Sequence, residues 1–135
     1  MARFLDTNIL IRYLTNDDPD KAALALALLD RVAEGTEQVV TTPLVIFETV
    51  FLLQRTYKTP KADIREKLMA ILSLQGLRLA ERALCLAALD YYVEQNISYA
   101  DAYHAAWMQV EGITEVYSWD REFDRVVGLK RIEPA

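Results

Sequence analysis

Short β-like runs alternate with longer helical ones along this chain, the pattern of an α/β domain with a mainly parallel sheet. Ala2-Arg3-Phe4-Leu5-Asp6 reads as a first strand ending in a carboxylate, with a short helix from about Ile9. Asn16-Asp17-Asp18-Pro19 marks a turn, and Pro19 takes the first position of a second helix near residues 20–34. That helix carries Ala22, Ala23, Leu26, Leu29 and Ala33 on one side and stops at Gly35. Residues 38–41 form the second predicted strand, after which Thr42 caps and Pro43 opens a third helix over 43–57. This third helix is apolar over most of its circumference and is expected to be deeply packed. Further helices are expected at 61–74, 81–95 and 98–110, with strands at 77–79, 114–119 and, at an edge, 130–132.

Composition narrows the class. With 135 residues and 53% apolar content the chain supports one ordinary core, so a single domain over 1–135 is expected. Cys85 lies in the apolar segment Ala83-Leu84-Cys85-Leu86 with no second cysteine, which reads as a small core residue. Asp6 interrupts any apolar run that a signal peptide would need, and Glu48 breaks the run 44–53, itself far short of the roughly 20 residues that span a bilayer. A soluble, cytoplasmic protein without a membrane partner is expected. The net charge of −5 argues against a nucleic-acid partner only until four acids are assigned to one site, which leaves the remainder near neutral.

Those four acids are Asp6, Glu48, Asp101 and Asp120. Asp6 stands at the carboxyl end of the first strand, where α/β sheets collect ligands, although an N-cap role explains it equally well. Thr7 and Asn8 add a hydroxyl and an amide suited to supporting metal ligands. Glu48 lies between Phe47 and Thr49 with apolar residues on both helix faces, so its burial would require a cation, or an ion pair with Arg12 or Arg55. Asp101 fits a capping box begun by Ser98, and the same location points it into the positive end of the helix dipole. Asp120 follows the strand that contains Val116-Tyr117-Ser118-Trp119; Glu122 and Asp124 follow as weaker candidates in a charged turn. His104, the single histidine, reads as a packing or hydrogen-bonding residue.

In order and spacing these elements resemble the PIN-domain ribonucleases, particularly the VapC-type toxins of toxin-antitoxin pairs. Asp6-Thr7-Asn8 resembles the family's opening Asp-Thr/Ser-Asn/Ser element, and Ile46-Phe47-Glu48-Thr49 its glutamate in an apolar helix. Tyr99-Ala100-Asp101-Ala102 resembles its Ala-Asp-Ala pattern, and Ser118-Trp119-Asp120-Arg121-Glu122-Phe123 its Thr/Ser-x-Asp-x-Asp-Phe motif, with Glu122 in place of the usual second aspartate. The resemblance implies a PIN-like three-layer α/β/α fold and a Mg2+-dependent endoribonuclease, with Mn2+ as a substitute. Asp6, Glu48, Asp101 and Asp120 would hold metal around an acidified water, and oxygen ligands suit such hard cations. Thr7, Asn8, Ser118 and Glu122 would support those ligands or contact substrate phosphate. The partners implied are RNA, a small cognate antitoxin and a second copy in a homodimer, for which the apolar faces of the second and third helices are candidate surfaces if they are not simply core.

Other readings differ in their demands. A haloacid-dehalogenase-type phosphatase needs a second acid two residues after the first, where this chain has Asn8, and a receiver domain needs an early acidic pair. A PIN nuclease of RNA processing would act without an antitoxin. A non-catalytic interaction module would use the acids as caps and as partners of Arg12, Arg55 and Arg121.

Overall fold

The computed structural model describes all residues from Met1 to Ala135. They form two compact units, Met1–Arg82 and Ala83–Ala135.

The first unit is built on a parallel sheet in the order β1-β2-β3, from β1 (Arg3–Phe4), β2 (Val39–Thr41) and β3 (Leu77–Leu79). Arg3 stands opposite Val39, and Val39 opposite Leu77. The β1–β2 connection contains α1 (Thr7–Leu14) and α2 (Pro19–Glu34); the β2–β3 connection contains α3 (Pro43–Arg55) and α4 (Lys61–Leu72). Parallel neighbours require such crossovers, because the chain must return to the same end of the sheet before pairing. Leu10, Val32, Ile46, Leu53, Ile64 and Leu68 are fully buried among these elements.

Local chemistry sets the helix ends as the sequence implies. Asp18 accepts a hydrogen bond from the Lys21 N–H ahead of Pro19, Thr42 accepts one from the Val45 N–H ahead of Pro43, and Gly35 closes α2 in the left-handed region at φ 82°. Gly76 answers to a different constraint: a Cβ there would lie 2.2 Å from the Glu37 carbonyl oxygen and 2.8 Å from that of Val32. Both obstacles are backbone, so Gly76→Ala is expected to destabilise the fold by about 3 kcal/mol or more, read as a lower midpoint in urea unfolding.

The second unit takes most of α5 (Arg82–Glu94), then α6 (Tyr99–Val110), β4 (Glu115–Tyr117), a short 3-10 helix (Arg121–Arg125) and β5 (Lys130–Ile132). β4 and β5 pair in parallel, Val116 opposite Arg131, and the 3-10 helix lies in the connection between them. Tyr92 of α5 and Tyr99 of α6 meet edge to face with ring centroids 6.0 Å apart, a favoured aromatic geometry. Cys85 is buried and forms no disulfide.

Four sequence expectations need correction. The first helix starts at Thr7 rather than near Ile9, so Asp6 is its N-cap residue. The buried face of α2 is Ala25, Leu29 and Val32, whereas Leu26 is exposed; the i, i+4, i+7 set that meets the core is rotated from the one expected. The third helix is not packed all round: Val45, Ile46, Val50 and Leu53 are buried, while Leu44 and Phe51 are exposed. His104 is exposed rather than packed.

Candidate metal centre

Three carboxylates converge in the second unit. Asp101, Asp120 and Glu122 each offer an oxygen, and these oxygens all lie within 4.8 Å of one another. Three local devices produce the convergence. Ser98 caps α6 by accepting from the Asp101 N–H at 3.1 Å, which places Asp101 in the first turn. Asp120 follows β4; its N–H donates to Ser118 Oγ at 2.9 Å, and its own Oδ1 accepts from the Glu122 N–H at 2.9 Å. Glu122 Oε1 in turn accepts from the Ser98 N–H at 3.1 Å, joining the 3-10 helix to the start of α6.

That last bond alters the reading of Asp101. In a capping box the acid at the third helical position reaches back to the N-cap N–H. Here Glu122 satisfies that donor, leaving the Asp101 carboxylate to face Asp120. Partial burial, the shared hydrogen bond with Asp120 and the repulsion of its charge push the Asp101 carboxyl up to about 6. The neighbouring Asp124 is engaged elsewhere, 2.9 Å from the Arg131 guanidinium.

The cluster suits a hard divalent cation. All its donors are oxygen, and oxygens around one magnesium lie roughly 3 to 4 Å apart at its bond lengths of about 2.1 Å, within the separations seen here. A cation would also offset the mutual repulsion that raises Asp101.

Asp6 and Glu48 belong to the first unit and are placed by different means. The Leu5 N–H donates to the Val40 carbonyl at 2.8 Å, and Thr41 Oγ1 donates to the Leu5 carbonyl at 2.8 Å, so β1 is held up to the residue before Asp6. Asp6 is exposed at the N-cap of α1, yet its side chain makes no capping hydrogen bond. Thr7 beside it is buried, and its Oγ1 is a buried oxygen with no hydrogen-bond partner. Such orphans are uncommon in native proteins and mark places where a further ligand or function is owed. Asn8 is exposed.

Glu48 is exposed on α3, flanked by the stacked rings of Phe47 and Phe51, 6.1 Å between centroids. The expectation that burial forces it to find a cation or an ion pair therefore does not apply. Neither expected partner is engaged with it: Arg12 pairs with Asp17 at 3.1 Å, and the Arg55 guanidinium lies 5.6 Å from the Phe51 ring centre. Asp17 further accepts from Tyr57 Oη at 2.7 Å and Thr15 Oγ1 at 2.9 Å, so this turn is tied to the end of α3, and these bonds hold its carboxyl below the ordinary value. The tether from Glu122 to the Ser98 N–H was not legible in the sequence, since it spans elements remote along the chain.

A PIN domain model matches residues 3–129, so the chain belongs to the PIN-domain family, whose α/β class agrees with the parallel sheet of the first unit and whose match runs through both units. Among individual proteins it is similar to a VapC ribonuclease of Aquifex aeolicus (strain VF5), 24% identical over 132 residues, which are 98% of this chain and 96% of that protein. No helix is long and apolar enough to cross a membrane.

Proposed function

We infer that the protein is a divalent-metal-dependent endoribonuclease acting as the toxin of a toxin-antitoxin pair. The observation that carries this reading is the all-oxygen cluster of Asp101, Asp120 and Glu122 in a chain of the PIN family that resembles a VapC ribonuclease along nearly its whole length.

In this reading Asp6, Glu48, Asp101 and Asp120 hold Mg2+ or Mn2+. The bound ion supplies an acidified water and neutralises charge building on the phosphoryl oxygens. Asp101 and Asp120 are pre-positioned by backbone hydrogen bonds, so little ordering is left to do when the site fills. Ser118 fixes the backbone of Asp120, and Glu122 locks the 3-10 helix to α6, supporting the ligands from behind. Thr7 and Asn8 stand beside Asp6: the buried Thr7 hydroxyl is proposed to support that ligand from behind, and the exposed Asn8 amide to meet substrate phosphate. Glu48 or Asp120 is the group proposed to orient the attacking water.

The partners proposed are RNA, a small antitoxin and a second copy of the chain, in the cytoplasm. Exposed apolar side chains on α2 (Leu24 and Leu26) and on α3 (Leu44 and Phe51) support the protein partners, because an isolated monomer gains nothing by showing them to water.

The test is cleavage of total cellular RNA by protein freed of any small partner, in Mg2+ or Mn2+ and beside EDTA. Cleavage that EDTA abolishes is expected; none with any metal would overturn the reading. A second expectation concerns binding alone. Mg2+ or Mn2+ should raise the melting temperature of the native protein by several degrees at a hundredfold excess over Kd, and Asp120→Asn should remove most of that shift in differential scanning fluorimetry.

A further inference from the structure

Two large aromatic side chains stand unusually far into solvent just before the cluster residue Asp120 in the chain. Tyr117 is 75% and Trp119 70% exposed, although an indole of that size is ordinarily well covered. Along β4 and the residues after it, exposure alternates: Glu115, Tyr117 and Trp119 are exposed, Val116 and Ser118 half-buried. The extended pairing continues past the strand, since the Ser118 N–H donates to the Ile132 carbonyl at 3.1 Å. Trp119 lies one residue past that last bond, at a bend, and both rings stand exposed. Trp119 directly precedes the cluster residue Asp120 in the chain.

Around this face the acids Glu115, Asp120, Glu122, Asp124 and Glu133 outnumber the cations by one, but the cations of the second unit are all gathered here. Every Lys and Arg of the second unit falls between Arg121 and Arg131, in the 3-10 helix, in β5 or between them. Arg131 and Arg125 are committed to the fold, through Asp124 and the Asn96 carbonyl respectively. Arg121 and Lys130 are exposed, one next to Asp120 and the other opposite Glu115 at the start of β4. Exposed π-faces flanked by cations describe a surface for unpaired bases and their phosphates, whereas a duplex hides its base faces.

We propose that Tyr117 and Trp119 form a stacking platform that holds an unpaired base of single-stranded RNA beside the scissile phosphate, with Arg121 and Lys130 meeting the flanking phosphates. The inference deepens the nuclease reading and rests on it for the identity of the substrate. Stacking on an aromatic ring contributes about 1 to 3 kcal/mol per base and tolerates any base, so the platform selects strandedness rather than sequence. Trp119 acts as a positioning residue: it sets where the chain lies and takes no part in the bond changes.

Two measurements test it. In a Trp107→Phe protein Trp119 is the single indole, and its fluorescence is titrated, in calcium, with an unstructured oligoribonucleotide of about ten nucleotides and with the same strand in a duplex. Saturable quenching by the single strand and little by the duplex is expected. In magnesium, Trp119→Ala should raise KM about 5- to 150-fold with a smaller change in kcat, and Trp119→Phe should restore most of the loss. Neither variant should alter the melting shift caused by metal. Quenching without any cleavage by the native protein would remove the nuclease reading and leave the platform standing. Cleavage with an unquenched Trp119 and an unchanged KM would do the opposite. If Trp119→Ala abolishes self-association or capture of a small protein partner while RNA binding persists, the face serves a protein and the platform is overturned.

Discussion

Asp101→Asn should abolish RNA cleavage while making the metal-free protein more stable, a combination that a purely structural carboxylate would not give. The loss is expected to be at least about 100-fold, since the residue is proposed as a metal ligand in the reaction itself. The gain follows from its surroundings. Partial burial first, then the hydrogen bond with Asp120 and the charges of Asp120 and Glu122, push its carboxyl up to about 6 from the ordinary 3.8. A carboxyl that titrates higher when folded binds more protons in the native state across that interval, so its contribution to stability falls as pH rises from about 4 to 6 and stays lost above. Screening by solvent at this partly exposed site reduces the effect to roughly 1 kcal/mol. Melting curves without metal should show Asp101→Asn above the native protein at pH 7, with the difference shrinking toward pH 4. The cap is kept, because the Asp101 backbone N–H still donates to Ser98 and an asparagine side-chain oxygen can accept from the Ser98 hydroxyl that bonds the carboxylate. Equal cleavage by the variant would sink the assignment of Asp101.

Asp6→Ala should separate activity from stability in a different way. An N-cap aspartate whose side chain bonds the first-turn amides contributes about 1 kcal/mol, but Asp6 makes no such bond. Its removal should therefore shift unfolding by only about 0.5 kcal/mol, the scale of a surface substitution, while cleavage falls at least about 100-fold. Urea unfolding and an RNA cleavage assay on the same preparation read both quantities. A large loss of stability with cleavage retained would return Asp6 to a capping role.

The two substitutions differ because the same residue type meets different surroundings. Asp6 is exposed and unencumbered at the end of β1, whereas Asp101 is crowded by other acids. Sequence alone treats both as an acid at a helix start. Only the packing of the 3-10 helix against α6 shows which of them carries repulsion.

Much of the architecture is legible in the sequence. Pro19 and Pro43 at the first helical positions, Asp18, Thr42 and Ser98 as caps, and Gly35 as a stop are consequences of local backbone chemistry, and each is found in place. The alternation of short strands and helices implied a parallel sheet, and β1, β2 and β3 form one. The α5–α6 helices and the β4 strand likewise fall where their apolar periods put them, with ends shifted by a residue or two.

What the sequence by itself determined is thus the order of the elements, their caps and the residue types offered to a site, because these depend on interactions within a few residues. Tertiary structure decided the rest. It turned Glu48 outward despite apolar neighbours on both sides, since the core takes only one face of α3. It gave Arg12 to Asp17 and Asp124 to Arg131, because ion pairs form between groups that packing brings close, whatever their separation in the chain. It also passed the Ser98 N–H to Glu122, 24 residues away, and so left Asp101 facing Asp120. A hydrogen-bond donor has one partner to satisfy, and which acceptor reaches it first is a property of the fold.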